Sequence, residues 1–95
     1  MPTGRMVRQI ILYTRPGCHL CDAAADLLEQ LARRSPLAVT EVNILSDADL
    51  FERYKHQIPV IVIAGGPTFA APIGAAALEQ VLLSQEETGH AITLE

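Results

Sequence analysis

Two cysteines, Cys18 and Cys21, stand three positions apart with His19 and Leu20 between them, and the chain has no others. A thiolate is both a nucleophile and a metal ligand, so a C-x-x-C pair has two chemistries open to it, disulfide exchange and metal binding. A structural zinc takes four nitrogen or sulfur donors. Beyond the cysteines the chain offers only His19, His56 and His90, and His19 is too close in sequence to chelate comfortably. Two chains sharing a metal or an iron–sulfur cluster would supply the missing donors, so a metal or cluster carrier stands as the alternative to exchange. Covalent haem attachment requires a histidine directly after the second cysteine. That residue is Asp22, which excludes it.

Exchange makes demands on the surrounding chain, because the attacking sulfur must be ionised and reachable from solvent. The elements around the pair meet both demands. Arg8 to Tyr13 reads as a buried strand around Ile10, Ile11 and Leu12, and Arg15, Pro16, Gly17 and Cys18 form a tight turn, with proline fixing φ and glycine free to take φ > 0. From Leu20 to Arg34 the apolar residues Leu20, Ala24, Leu27, Leu28 and Leu31 recur at helical steps, with Arg33 and Arg34 in the last turn. Cys18 therefore emerges where free N–H groups and the helix dipole favour negative charge, and Arg15 and His19 add positive charge nearby. Asp22 opposes this modestly. C-x-x-C thiols so placed have pKa values of roughly 3.5 to 7.5, against about 8.5 for an ordinary cysteine. Cys21 falls one turn further on, within bridging reach and more shielded, which makes Cys18 the attacking thiol and Cys21 the resolving one.

Downstream, Ser35 and Pro36 end the helix and Leu37 to Ile44 reads as a second strand. Ser46 is the expected cap of a short helix from Asp47 to about Lys55, Val60 to Ile63 a third strand, Gly65 and Gly66 a hairpin turn, and Thr68 to Ile73 a fourth strand, placed at an edge by Pro72. A final helix carries Leu78, Val81 and Leu82, and the polar residues from Ser84 onward read as a loosely packed tail over 85–95. The order β-α-β-α-β-β-α predicts an α/β fold: two parallel strands joined by a right-handed crossover, extended by an antiparallel hairpin into a four-stranded mixed sheet with helices on both faces. A copper-chaperone fold would need β-α-β-β-α-β, and the helix after the second strand opposes it.

Residues Tyr13 to Asp22, YTRPGCHLCD, with Ile58-Pro59-Val60 further on, resemble the active-site turn and third-strand triplet of the glutaredoxin and thioredoxin superfamily. The resemblance covers about residues 8 to 84 and is strongest to the small bacterial glutaredoxin-like proteins. It implies a thioredoxin-like three-layer α/β/α fold and thiol-disulfide oxidoreductase activity. It also implies a cis peptide bond at Pro59, whose ring faces the cysteine pair while the Ile58 backbone N–H and C=O meet a substrate strand. On this reading Arg15, His19, Ile58 and Pro59 form the substrate-binding surface. One departure matters. Glutathione-using relatives carry Lys before the motif and a Gly-Gly followed by acidic or hydroxyl side chains after the fourth strand, whereas this chain has Arg15 and the run Gly74-Ala75-Ala76-Ala77. Each missing hydrogen bond to a charged group costs about 1 to 3 kcal/mol. Glutathione is thus expected to be at most a weak co-substrate, with no tightly bound cofactor.

Composition bounds the rest. Ninety-five residues suit a single domain spanning 1–95, and 49% hydrophobic residues with 19% charged ones support a packed core. The net charge of -4 and the scattered basic residues argue against nucleic acid. The apolar run Ile10 to Tyr13 is too short for a membrane span or signal-peptide core, so a cytoplasmic monomer is expected. In that compartment structural disulfides do not persist, which again favours a working dithiol. Its expected partners are a disulfide-bearing protein or small molecule and an upstream reductant.

Overall fold

The computed structural model describes residues 7–83. The expected tail over 85–95 and His90 lie outside them. Strand β1 (Arg8–Thr14) leads through a turn into helix α1 (His19–Ala32), followed by β2 (Leu37–Asn43) and a 3-10 turn at Ile44–Ser46. Helix α2 (Ala48–Tyr54), β3 (Val60–Ile63) and β4 (Thr68–Ala70) come next, and residues 75–83 form helix α3. The sheet order is β2-β1-β3-β4. β1 pairs parallel with β2, Ile10 opposite Val39, and antiparallel with β3, Leu12 opposite Ile61. β3 in turn pairs antiparallel with β4. The α/β class and the thioredoxin-like, mixed four-stranded architecture expected from the element order are present.

Side chains alternate across a strand, and β1 sorts them by layer. Ile10 and Leu12 are buried with Ile61 and Ile63 against Ala24, Leu28 and Leu31 of α1 and Leu78 and Leu82 of α3. Tyr13 faces the other way and stacks on Tyr54 of α2, ring centroids 4.5 Å apart. Helices α1 and α3 therefore cover one face and α2 the other, which gives the three layers.

Several local expectations shift. Helix α1 ends at Ala32, with Arg33 as its C-cap, because the Arg34 and Ser35 N–H groups both turn back to the Leu31 carbonyl. Asp47, not Ser46, caps α2: its Oδ1 accepts from the N–H groups of Asp49 and Leu50, whereas the Ser46 hydroxyl donates to the Asn43 carbonyl inside the 3-10 turn. The fourth strand stops at Ala70, before Pro72, which has no N–H to give. Of the two hairpin glycines only Gly65 has positive φ, at 73°. Gly66 is instead a close approach, since a Cβ there would come 3.1 Å from both Arg8 Nη2 and Ile63 Cγ2.

The reassigned cap is testable by urea unfolding. Asp47→Ala should cost about 1 kcal/mol of stability, the usual cost of deleting a capping side chain, and Ser46→Ala distinctly less. In the core shared by α1, α3 and the sheet, Leu28→Ala should cost about 2 to 5 kcal/mol by the same measurement.

Candidate functional site

The cysteine turn sits at the C-terminal end of β1, the strand paired on both sides, so the sheet fixes where α1 begins. Gly17 takes φ 79°, and Cys18 follows in extended conformation as the N-cap of α1. Serine, aspartate and their kind usually fill this position because a side-chain acceptor is needed there for an exposed helix N–H. Here the acceptor is sulfur: the Cys21 N–H donates to Cys18 Sγ at 3.1 Å. The two sulfurs are bridged, with Cα atoms 5.2 Å apart. Cys18 Sγ thus lies at the positive end of α1, facing a backbone N–H.

Exposure separates the two thiols. Cys18 is half-buried at the helix tip, while Cys21, one turn inside α1, is only 1% exposed. A reactant from solvent reaches the first sulfur and not the second.

Arg15 lies exposed in the turn and His19 exposed at the start of α1, both free of hydrogen bonds and ion pairs among the described residues. The Ile58–Pro59 bond is cis and Pro59 is fully buried. One expected role changes. The Ile58 N–H donates to the Tyr54 carbonyl at 3.1 Å as α2 unwinds, so it is not free to meet a substrate strand. The Ile58 carbonyl accepts no backbone N–H among the described residues and remains available.

Beside the cysteines runs a groove of about 350 Å³ between α1, Pro59 and the segment joining β4 to α3. Leu20, Ala23, Ala24 and Leu27 form its helical wall and Ala71, Pro72, Ile73 and Ala75 its far wall. Helical periodicity marks Leu20, Ala24 and Leu27, but as core residues. Leu20 is in fact 62% exposed, in the first turn of α1. Nothing in the local pattern signals that the β4–α3 segment closes the groove.

No group of three His, Cys, Asp or Glu side chains suited to a metal ion occurs among the described residues. Among the same residues no helix is long and apolar enough to cross a membrane.

Comparison with known proteins agrees with the geometry. The family model Glutaredoxin-like domain (DUF836) matches residues 9–83. A structural-genomics target protein from X. campestris, XcR50, is 36% identical in its X-ray structure, with TM-score 0.66, covering 79% of this chain and 96% of that one. Its solution structure gives TM-score 0.64 over 79% and 92% of the respective chains. Protein Ne2328 from Nitrosomonas europaea, solved in solution, shares the fold at TM-score 0.71 and 23% identity, over 86% and 99%.

The difference in exposure gives a direct expectation. After reduction, brief iodoacetamide treatment should label Cys18 well before Cys21, and peptide mapping by mass spectrometry reads the order.

Proposed function

This chain belongs to the glutaredoxin-like domain family, and on that premise we propose that it is a dithiol oxidoreductase that reduces a protein or low-molecular-weight disulfide through Cys18 and Cys21. The observation that carries the reading is the Cys18 sulfur at the N-cap of α1, accepting the Cys21 N–H. A sulfur so placed is stabilised as the thiolate and left open to attack.

In the first step the Cys18 thiolate attacks one sulfur of the substrate disulfide. A Cys18–substrate disulfide forms, and the other substrate sulfur leaves as a thiolate, which takes a proton from solvent. In the second step the Cys21 thiolate attacks Cys18 Sγ, forms the Cys18–Cys21 bridge and releases the remaining substrate thiolate. Two electrons pass from the dithiol to the substrate. A low-molecular-weight thiol or a protein dithiol then reduces the bridge and returns the starting state. The burial of Cys21 supports this division of labour, since a shielded thiol meets Cys18 more readily than it meets a second substrate.

Arg15 brings positive charge to the mouth of the site, exposed His19 offers a polar contact beside it, and the Ile58 carbonyl accepts a hydrogen bond from the substrate backbone. The small residues Ala75, Ala76 and Ala77 supply no side-chain partner for the charged ends of glutathione, which acts as a weak co-substrate at most. The protein works as a cytoplasmic monomer with no tightly bound cofactor.

Trapping tests the assignment. Cys21→Ser should hold its partner as a mixed disulfide on Cys18, visible on non-reducing gels and lost on adding dithiothreitol, whereas Cys18→Ser should trap nothing and abolish turnover. Trapping on Cys21 in the Cys18→Ser variant would invert the roles. Failure of the wild-type pair to cycle between dithiol and disulfide in thiol buffers, with iron or zinc copurifying with the protein, would support the carrier reading instead.

A further inference from the structure

Tyr54 belongs to neither the cysteine turn nor the Ile58-Pro59-Val60 triplet, yet it contacts the segments that lead to both. We propose that Tyr54 is a positioning residue for the exchange reaction: its ring is anchored on Tyr13, and its carbonyl holds the backbone ahead of Pro59, so that the Ile58 carbonyl meets the substrate at a fixed place. The inference rests on the oxidoreductase reading and names a residue on which its substrate binding depends.

The sheet register leaves such a restraint to be supplied. Tyr13 of β1 and Val60 of β3 are partners at the end of an antiparallel ladder. Forward from Tyr13 the chain reaches Cys18 in five residues, and backward from Val60 it reaches Ile58 in two. Both segments leave the sheet at that end, past the last paired residues, so strand pairing alone does not hold one against the other.

Helix α2 supplies the hold through its last residue. The helix is seven residues long and none of them is buried, so neither its length nor the core secures it. The Tyr54 ring stacks on Tyr13, with centroids 4.5 Å apart and planes at 24°. The Tyr54 carbonyl accepts the N–H groups of both Gln57 and Ile58, at 2.8 and 3.1 Å, and the Gln57 carbonyl accepts the Ala71 N–H at 3.1 Å. Of the backbone polar groups of Gln57 and Ile58, only the Ile58 carbonyl has no backbone partner among the described residues. The loop that aims this acceptor is thus tied, through one side chain, to the strand that leads to Cys18.

The size of the effect has a ceiling. A restraint raises the fraction of molecules with the loop correctly placed, and apparent affinity scales with that fraction. The gain cannot exceed the coupling of the ring pair, about two- to tenfold for one aromatic pair. It falls on KM, because the Ile58 carbonyl binds substrate. The cap on Cys18 Sγ lies within α1 and involves neither tyrosine.

The experiment uses the full chain and a short peptide carrying one cysteine as a mixed disulfide with a chromogenic thiol. Tyr54→Leu should raise KM about two- to tenfold, with kcat and the rate of iodoacetamide alkylation of reduced Cys18 unchanged, since that small reagent needs no aligned backbone. Tyr54→Phe keeps the ring and should keep the wild-type KM. Tyr13→Leu should match Tyr54→Leu, and the double variant should be no worse than either, because each removes one shared stack. Both tyrosines are half-buried, and circular dichroism checks folding; either single variant suffices should the other not fold. Asp47→Ala weakens α2 at its cap without touching the stack and should leave KM alone, which separates positioning from stability. A wild-type KM in the leucine variants, an equal rise in Asp47→Ala, or effects of the two tyrosines that multiply in the double variant overturns the proposal.

Hydrogen exchange separates this failure from failure of the oxidoreductase reading. The Gln57 and Ile58 amides, followed by NMR, should exchange about two- to tenfold faster in the leucine variants than in wild type. Faster exchange in a protein that turns over no disulfide discards the redox reading and retains the Tyr54 restraint. Disulfide turnover with KM and amide exchange unmoved by the substitutions does the reverse.

Discussion

One hydrogen bond organises the site: the Cys21 N–H donating to Cys18 Sγ at the first turn of α1. It makes sulfur the helix cap, the position at which a helix end favours negative charge. The geometry depends on β1, which pairs parallel with β2 on one side and antiparallel with β3 on the other. A strand held on both edges delivers its C-terminal end, the turn at Gly17 and the start of α1 to one place. The core of Ile10, Leu12, Ala24, Leu28 and Leu31 then keeps α1 seated on the sheet.

The second half of the site reaches the same end of the sheet by a different route. β3 lies beside β1, so Pro59, just ahead of β3, stands near the end of the strand that carries the cysteine turn. The opposite layer ties the halves together. Tyr13, at the end of β1, stacks on Tyr54, and the Tyr54 carbonyl accepts the Ile58 N–H. A single residue of α2 thus contacts the strand leading to Cys18 and the loop leading to Pro59. The same hydrogen bond occupies the Ile58 N–H and ties the loop ahead of β3 to the end of α2.

Polarity within the site is divided. Arg15 and His19 are exposed at the turn and the start of α1, and the groove between α1, Pro59 and the β4–α3 segment is lined by hydrocarbon side chains. The charged side chain of Arg15 and the apolar groove are thus separate features of the same face. The run Gly74-Ala75-Ala76-Ala77 reinforces the division, because small side chains keep the groove open and add no hydrogen-bonding group.

Local interactions made much of this legible in the sequence. The C-x-x-C spacing, the Pro-Gly turn before it, the helical period from Leu20 to Leu31 and the β-branched strands are short-range signals, and together they determine the element order, the position of Cys18 at a helix start and the family. The structure moved the cap of α2 by one residue, from Ser46 to Asp47, because neighbouring acceptors compete for the same N–H groups and only the backbone path decides between them. Leu20 was indistinguishable from the core leucines, since periodicity assigns a residue to a helix face but cannot tell how exposed it is. The groove brings α1 and the β4–α3 segment, far apart in the chain, to one place, and the stacking of Tyr13 on Tyr54 joins β1 to α2 in the same way. The cysteine pair and its helix were thus determined by sequence alone, while the apolar groove was decided only when α1, Pro59 and the β4–α3 segment packed together.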